Sequence, residues 1–376
     1  MQPAGPANSH RNDQGARTTI LEPISFTDIE GWSEDDLGAA FRTFRAGARR
    51  LVDHRPKTRA LGIDGVALKK VAHLAFDLPD SLGRQEARRF FETHFRPRKI
   101  ALPGFVTAYY EPEVAASRAR SAGFSVPLLR RPADLVEVRE HDGPAGWDPQ
   151  IRFARRGGRG LEHYVDRAAI EAGALDGQGL ELAWLADPVD AFFIHVQGSA
   201  RLRLIEGGTM RVAFDGKSGH PYTSIGRLVV ERGLLGRDAA HKDGLEAWLK
   251  AEPDRARALM RENRSFIFFR EVELGESDGP LGAAGVPLTP GRSLAVDRDL
   301  MTFHTPVWVE APELCDFDQP EARFRRLMIA QDTGSAIVGA ARGDLFVGSG
   351  DAAGAKAGRV RHTATMIALI PAAIAA

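Results

Sequence analysis

Two aspartates near the C-terminal end of the chain stand where a carboxyl group could do acid–base chemistry. An apolar run at 327–330 leads to Asp332, and Gly334 permits a sharp turn because glycine lacks a Cβ. Asp344 begins a further short strand predicted at 345–347, with glycines behind it. Such a pattern is typical of a barrel that presents carboxylates to a cleft. The alternative is that both aspartates cap turns, as aspartate often does.

Length and charge limit what the chain can be. Its 376 residues are enough for two domains and a sizeable core. Lys and Arg number 50 and so do Asp and Glu, which argues against non-specific binding to nucleic acid or to an anionic membrane surface. Cys315 is the only cysteine, so an internal disulfide and a cysteine zinc cluster are excluded.

The two ends of the chain predict neither a transmembrane segment nor a visible export signal. Residues 1–19 are polar and are predicted to be disordered, without the apolar stretch of a signal peptide. The tail at 366–376 is apolar, but it is short and is interrupted by Pro371, so it cannot span a bilayer.

Hydrophobic periodicity predicts helices first and strands afterwards. Ser33 and Asp36 resemble a capping box for a first helix, whose buried face is Leu37, Phe41, Phe44, Ala48 and Leu51. Further helices are predicted at 66–75, 82–95, 224–233 and 245–262, the last broken at Pro253. Strands are predicted at 105–110, 191–197, 202–205, 210–214, 266–272, 293–296, 306–309 and 365–370, and a long loop at 134–160. Short strands separated by Gly and Pro favour barrels, hence a mainly β fold with helices (α+β).

Several separated blocks, in order, resemble the membrane-bound lytic murein transglycosylase A family. They are Gly-Phe-Val-Thr-Ala-Tyr-Tyr-Glu-Pro at 104–112, Phe-Phe-Ile-His-Val-Gln-Gly-Ser-Ala at 192–200, Gly-Lys-Ser-Gly-His-Pro-Tyr-Thr-Ser-Ile-Gly at 216–226 and Asn-Arg-Ser-Phe-Ile-Phe-Phe at 263–269. The C-terminal part is similar to the family's three-aspartate domain, with its acids at Asp297, Asp332 and Asp344.

The resemblance implies a fold of two barrels. A double-psi β-barrel is expected from residues 20–115 and 260–371, with the N-terminal helices attached to it. A second, inserted β-barrel is expected at 116–255, and the substrate groove lies between the two domains. Glu111 and the stretch 301–306 depart from the family pattern, and we expect them to alter a wall of the groove.

The activity implied is cleavage of the β-1,4 bond between N-acetylmuramic acid and N-acetylglucosamine, with a 1,6-anhydro product. The muramyl 6-hydroxyl is the nucleophile, so one carboxyl group can serve as acid and then as base. The resemblance assigns this role to Asp344, with Asp332 and Asp297 organising it. Burial and a neighbouring like charge would raise the pKa of Asp344 enough to keep it protonated. These steps are proton transfers, so no metal or organic cofactor is expected.

Aromatic and amide side chains are expected to hold the sugars. Tyr110 offers a flat apolar face and a hydroxyl, whereas Gln197 and Ser199 can bond acetamido and hydroxyl groups. For Gln197 a structural role at a strand end is the open alternative. The full set of predicted substrate-binding residues is Thr107, Tyr110, Gln197, Gly198, Ser199 and Tyr222.

The predicted partner is a peptidoglycan glycan strand, bound by a monomer in the periplasm, in possible association with the outer membrane. Two other functions stay open. A barrel without activity would be a peptidoglycan-binding module. Asp332-Thr-Gly also matches the aspartic-protease signature, but that enzyme needs two such loops, and this chain has one.

Overall fold

The computed structural model describes residues 20–139, 142–144, 146–148 and 151–372, and the predicted disordered segment 1–19 lies outside them. The helices are α1 (Leu37–Asp53), α2 (Gly65–Phe76), α3 (Arg84–His94), α4 (Arg167–Glu171), α5 (Pro188–Gln197), α6 (Ile225–Glu231), α7 (Lys242–Ala251), α8 (Pro253–Glu262) and α9 (Asp351–Ala357). Among the described residues, none of them is long and apolar enough to cross a membrane.

The strands are short, as predicted. They are β1 (Leu21–Pro23), β2 (Phe95–Ile100), β3 (Gly104–Glu111), β4 (Glu113–Ser117), β5 (Val126–Leu129), β6 (Leu135–Glu137), β7 (Phe153–Gly157), β8 (Gly160–Glu162), β9 (Glu181–Leu185), β10 (Ser199–Leu204), β11 (Thr209–Lys217), β12 (Ile267–Glu271), β13 (Ser293–Val296), β14 (Pro306–Cys315), β15 (Arg323–Asp332), β16 (Arg342–Ser349) and β17 (Arg361–Pro371).

Six of these strands close into a barrel. Their order is β17-β14-β15-β13-β16-β3, and β3 returns to pair with β17, so that Arg361 lies opposite Thr107. The pairs β13–β15 and β16–β3 are parallel, whereas β13–β16 and β14–β15 are antiparallel. Closure leaves no open edge in the barrel itself, while β2 and β1 extend the sheet beyond β17.

The N-terminal helices and the barrel share one hydrophobic core. The predicted apolar face of α1 is buried against it, since Leu37, Phe41, Phe44, Ala48 and Leu51 are each at most 1% exposed. Trp308 and Phe324 of the barrel are fully buried in the same cluster, and each contributes about 2–3 kcal/mol by leaving water. The helices therefore close one side of the barrel and leave another side for the site.

The start of α1 differs from its prediction. The helix begins at Leu37, and the Asp36 carboxyl accepts a hydrogen bond from the Ala39 N–H at 3.0 Å. Ser33 lies in the turn before it, so the predicted capping box at Ser33 is wrong. Asp36 caps the helix alone because aspartate is itself a preferred N-cap residue.

A second sheet of six strands forms the inserted domain. Its order is β12-β11-β10-β4-β9-β5, and a bridge between Arg130 and Phe269 joins its two outer strands. Residues 113–115 and 267–271 therefore belong to this sheet, whereas the prediction placed them in the first barrel. The physical reason is pairing, because β4 runs beside β10 and β12 beside β11. The chain passes between the sheets at Pro112 and again between β12 and β13.

Two local predictions within this domain are wrong. The predicted strand 191–197 is helix α5, because Asp187 caps the Val189 N–H at 2.8 Å, Pro188 occupies the first turn and Gly198 ends the helix at φ 78°. The predicted loop 134–160 contains β6, β7 and the first residue of β8, which form a small antiparallel sheet. The other predicted helices and strands are confirmed, and α8 begins at Pro253.

Candidate active site

The two principal acids lie in one row across the barrel. Asp332 and Asp344 are both register partners of Ala295, from the strands on either side of β13. Their Cα atoms are thus two strand spacings apart, about 10 Å. Thr107 lies opposite Asp344 on the next strand, β3. The barrel therefore brings together three segments that are far apart in the chain.

Asp344 is held by a relay of two hydrogen bonds. The Thr107 hydroxyl donates to Oδ1 of Asp344, and the Arg342 guanidinium donates to the Thr107 oxygen at 2.6 Å. The pKa of Asp344 is raised to about 6, mainly by burial and to a smaller extent by the charge of Asp332. The Thr107 hydrogen bond and the Arg342 charge oppose that increase in the pKa.

The relay decides where the acid proton of Asp344 resides. Because the Thr107 oxygen accepts from Arg342, its single hydroxyl proton points to Oδ1 of Asp344. Oδ1 is then an acceptor, so the carboxylic proton resides on Oδ2. At a pH below about 6 the side chain is a neutral acid with its proton on the oxygen turned away from Thr107.

Asp332 is held by a different set of donors. The Tyr109 hydroxyl donates to Oδ2 at 2.8 Å and the Ala283 N–H to Oδ1 at 2.9 Å. Burial raises the pKa of Asp332, whereas these hydrogen bonds lower it. The pKa of Tyr109 is well above its ordinary value because of burial and the charge of Asp332. Tyr109 also packs on Phe346, with ring centroids 5.4 Å apart.

Tyr109 is the site residue that the sequence reasoning missed, in favour of its neighbour Tyr110. Side chains alternate along a strand, so Thr107 and Tyr109 share one face of β3 and Tyr110 lies on the other. Tyr110 is 5% exposed, and its ring packs against Gly354 with the Lys242 ammonium 5.7 Å from its centroid. Tyr110 therefore does not share the face of β3 that carries Thr107 and Tyr109, and its role in sugar binding stays a prediction. Side chains alternate between the two faces of a strand, so counting two residues on from Thr107 could have identified Tyr109.

Asp297 fixes the loop that joins the other two acids. Its Oδ2 accepts from the Gly339 N–H at 2.8 Å and its Oδ1 from the Asp299 N–H at 3.0 Å. The Thr333 hydroxyl anchors the same loop through the Val296 carbonyl at 2.8 Å. This geometry suits the expected organising role, and it equally suits the capping alternative.

Three of the predicted sugar-binding residues, Gln197, Gly198 and Ser199, lie where α5 passes into β10. Oε1 of Gln197 accepts from the Tyr110 N–H at 3.2 Å, which is the structural alternative considered for this residue. Gly198 has φ 78° and open space at its Cβ position, so the turn requires glycine there. Ser199 is 7% exposed and lies opposite Ala213 in the sheet.

Of the predicted binding residues Thr107 contacts Asp344, and Tyr222 follows β11 in the inserted domain. Burial raises the pKa of the Tyr222 hydroxyl, and the charge of Asp344 also raises it, to a smaller extent. Tyr222 comes from the inserted domain and Asp344 from the barrel. The groove between the two domains stays a prediction.

The two departures expected at a groove wall lie in the interior instead. Glu111 is 1% exposed and pairs with Arg201 and Arg211, each at 2.9 Å, where β3 passes into the second sheet. His304 is 2% exposed, has φ 67°, and lies against Gly47 of α1. Neither residue forms a wall of the groove, because each is packed against another element.

Metal ligands are not gathered in the described part of the chain. No group of three or more His, Cys, Asp or Glu side chains there could hold a metal ion. The acids at the site are instead satisfied by hydroxyl and backbone N–H donors.

Comparison with known proteins connects this geometry to a family. Residues 105–270 match the MltA specific insert domain, and residues 292–370 match the 3D domain. The solved membrane-bound lytic murein transglycosylase from Agrobacterium tumefaciens is 41% identical with a TM-score of 0.87, covering 93% of this chain and 97% of that one. MltA from Neisseria gonorrhoeae is 30% identical with a TM-score of 0.76, covering 94% and 93%. These likenesses confirm the predicted fold class, a double-psi β-barrel with a second, inserted barrel.

Curated relatives agree over a smaller part of their length. Membrane-bound lytic murein transglycosylase A from Vibrio cholerae is 38% identical over 52% of this chain and 53% of its own length. The protein of that name from Escherichia coli K12 is 30% identical over 68% of this chain and 62% of its own. The matched segments thus span between about half and two thirds of these relatives. With two family domains in order and solved structures matched over nearly their whole length, the chain belongs to the membrane-bound lytic murein transglycosylase A family.

Proposed function

We propose that the protein is a peptidoglycan lytic transglycosylase. It cleaves the β-1,4 bond between N-acetylmuramic acid and N-acetylglucosamine and leaves a 1,6-anhydromuramyl end. The observation that carries this proposal is Asp344, a carboxyl whose pKa is raised to about 6, mainly by burial, and which accepts a hydrogen bond from Thr107 on one oxygen. The names of the relatives support the same activity.

The first step is protonation of the leaving group. Oδ2 of Asp344 gives its proton to the glycosidic oxygen as the bond from that oxygen to muramyl C1 breaks. N-acetylglucosamine leaves with a free 4-hydroxyl, and positive charge develops at C1. The Asp344 carboxylate remains on the same face, bonded to the Thr107 hydroxyl and close to the Arg342 charge, both of which stabilise it.

The second step forms the anhydro bond and restores the acid. The muramyl 6-hydroxyl attacks C1 of its own ring, and its proton passes to Asp344. The nucleophile is tethered to the reacting centre, so its effective concentration is high without a second enzyme carboxylate. Water takes no part, and the proton count of the enzyme is unchanged after one turnover.

Asp332 and Asp297 act on Asp344 without contacting the bond that breaks. The Asp332 charge helps to keep the Asp344 proton in place, and Tyr109 and Ala283 hold Asp332. Asp297 holds the connecting loop through Gly339. No cofactor is needed for these proton transfers.

The glycan strand lies between the barrel and the inserted domain in this proposal. Tyr222 and Thr107 contact the reacting sugars, and Gln197, Gly198 and Ser199 border the path of the strand. Strand pairing supports a division into a catalytic barrel at 20–111 and 293–371 and a substrate domain at 113–271. The protein acts in the periplasm, and the relatives' names support an association with the outer membrane.

An aspartic protease is the weaker proposal. That chemistry needs two carboxylates that share one proton. Here Asp332 is bonded to Tyr109 and Ala283, whereas Asp344 is bonded to Thr107, and among the described residues no hydrogen bond joins the two carboxyls. A binding module would have no use for a half-buried carboxyl with a raised pKa.

The test is digestion of purified murein sacculi, with the soluble products weighed by mass spectrometry. We expect muropeptides lighter by one water than hydrolysis products. Asp344→Asn should lose about a thousandfold in rate, since general acid–base catalysis contributes 10²–10⁴. Asp53→Asn, an exposed aspartate at the end of α1, is the matched control.

Other outcomes of the digestion would overturn the proposal. Products of hydrolytic mass would mean a glycosidase, and sacculi that are bound but uncut would mean a binding module. Casein cleaved at acid pH would favour the protease. Full activity of Asp344→Asn would remove Asp344 from the proposed mechanism.

A further inference from the structure

Three cationic side chains from both domains converge beside the loop that joins Asp332 to Asp344. The Lys217 ammonium, from the end of β11, donates to the Ser335 hydroxyl at 3.0 Å. The Arg152 guanidinium donates to the Asp299 carboxylate at 3.1 Å. Arg298 precedes Asp299 in the chain. We refer to Lys217, Arg152 and Arg298 as the basic cluster.

Packing between backbone segments holds this cluster in place. Gly219 packs so closely on the segment at 151–153 that a Cβ would lie 2.2 Å from the Phe153 carbonyl oxygen. This contact sets the end of β11 beside Arg152. The Gly339 N–H bonds to Asp297 at 2.8 Å and brings the loop of Ser335 beside Arg298. These backbone contacts therefore position the segments that carry the basic cluster.

The charges of the cluster are unevenly balanced. Lys217 is partly buried, and burial together with the charges of Arg298 and Arg152 lowers its pKa. Among the described residues Lys217 forms no ion pair, and its hydrogen-bond partner Ser335 is neutral. Arg298 is exposed and is likewise in no described ion pair. Placing like charges together costs free energy that a bound anion would recover.

The cluster is set apart from the proton chemistry. Arg342 and Asp332 are the charges that shift the pKa of Asp344, and none of the three cations is among them. The loop of Ser335 nevertheless joins the two acids directly. An anion at the cluster would therefore belong to the same substrate, but to a part of it beside the reacting sugars.

We propose that the basic cluster binds a carboxylate on the muramyl 3-O-substituent. The inference rests on the proposed function, since it concerns the substrate of that site. The N-acetylated sugar rings are uncharged, so the carboxylates of murein are those of the stem peptide, or of the lactyl group where the peptide has been removed. The protein thus binds the substituent as well as the glycan, and it prefers strands whose substituent is anionic.

The test uses soluble glycan strands from one murein preparation in three forms. The first carries native stem peptides, the second the same peptides with their carboxyl groups amidated by carbodiimide coupling, and the third has been stripped by an amidase. Wild-type kcat/KM, read from anhydro products, should fall about tenfold on amidation. The fall should shrink as salt is added, because exposed charges are screened. A stripped form cleaved like the native one means that the freed lactyl carboxylate can occupy the site in place of a peptide carboxylate. A stripped form cleaved like the amidated one assigns the site to the peptide alone.

Variants connect this preference to the cluster. In Lys217→Gln and in Arg298→Gln the ratio of kcat/KM for native over amidated strands should fall below about twofold. Lys70→Gln, an exposed lysine on α2, should keep the wild-type ratio. Arg298 is exposed, so its variant tests the inference even if Lys217→Gln folds poorly. Equal cleavage of native and amidated strands by the wild type, or an unchanged ratio in both variants, would overturn the inference.

Failure of the proposed function is distinguishable from failure of the site. If no form yields an anhydro product, the function is wrong. Binding of the same strands to Asp344→Asn then tests the site without turnover. A preference for native over amidated strands that is lost in the double variant Asp344→Asn, Lys217→Gln supports it, and equal binding of both forms contradicts it.

Discussion

Glu111 on strand β3 and Asp344 on the adjacent strand β16 are both carboxyl groups, but their hydrogen-bond partners differ in charge. Glu111, at the end of β3, is 1% exposed and receives hydrogen bonds from Arg201, Arg211 and Ser349. Asp344, on the neighbouring strand opposite Thr107, receives one from a neutral hydroxyl, and the nearest guanidinium bonds to that hydroxyl. Glu111 is buried and Asp344 is half-buried, and only Glu111 is paired with two cations.

The difference shows that counter-charge separates a structural carboxylate from a chemical acid. A buried carboxylate with two arginines is a stable ion pair, and it joins β3 to β10 and β11 of the inserted domain. A buried carboxyl without a direct cation keeps its proton to a higher pH. The four predictions below test this contrast from the largest expected effect to the smallest.

Removing the charge of Glu111 should be the most damaging change to stability. Glu111→Gln leaves the buried Arg211 and the half-buried Arg201 without a counter-charge, and breaking a buried pair from one side costs about 3–5 kcal/mol. Urea unfolding at neutral pH measures it. Glu113→Gln, whose partner Arg203 is 3.5 Å away at the surface, should change the free energy of unfolding by less than about 1 kcal/mol. Equal effects of the two variants would contradict the contrast.

Removing the charge of Asp344 should stabilise the folded protein at neutral pH. Its pKa in the folded protein is raised from 3.8 to about 6, so the native state holds the proton more tightly than the unfolded chain does. Wild-type stability therefore falls as pH rises from about 4 to about 6, and the full cost of about 3 kcal/mol is present above that range.

Asp344→Asn should thus be more stable than wild type by up to about 3 kcal/mol near pH 7.5, and equally stable near pH 4. Urea unfolding of both proteins at the two pH values measures the difference. A variant that is less stable than wild type at the higher pH would show that Asp344 resembles Glu111 after all.

Breaking the relay should move the pH profile of activity. Thr107→Val removes a hydrogen bond that lowers the pKa of Asp344, so the limb where activity is lost with rising pH should move to higher pH. We expect about a tenfold loss in kcat/KM at the optimum, the equivalent of one hydrogen bond. Thr107→Ser keeps the hydroxyl and should stay near wild type. An unmoved limb in the valine variant would exclude the relay.

The smallest effect should come from the tyrosine beside Asp332. Tyr109→Phe removes a hydrogen bond that lowers the pKa of Asp332, so Asp332 carries less charge and raises the pKa of Asp344 less. The same limb of the pH profile should move to lower pH, opposite to Thr107→Val, with about a threefold loss in kcat/KM. Tyr110→Phe should have a smaller effect on both. A larger effect of Tyr110→Phe than of Tyr109→Phe would instead support Tyr110 as the tyrosine that acts in the site.

Much of the local structure follows from pattern alone. The apolar face of α1 and the strand that ends at Asp332 are confirmed as predicted, since a period of 3.6 or 2 depends on nearest neighbours only. Helix α5 was missed although Asp187, Pro188 and Gly198 mark its ends, because a continuous apolar run has no period to reveal. The sequence analysis names Tyr110 and not Tyr109, because the partners of a strand decide which of its faces meets the site.

The sequence by itself determined which residues could act as acids, and its ordered motif blocks determined the family. What it left open is which of those acids meets a cation and which meets a hydroxyl. Thr107 and Asp344 are separated by 237 positions, and Glu111 and Arg211 by 100. Only the closed barrel and the domain joined to it bring these pairs together. The pKa of a carboxyl depends on burial and on charges a few ångströms away, so the chemistry of this protein was decided by its tertiary structure.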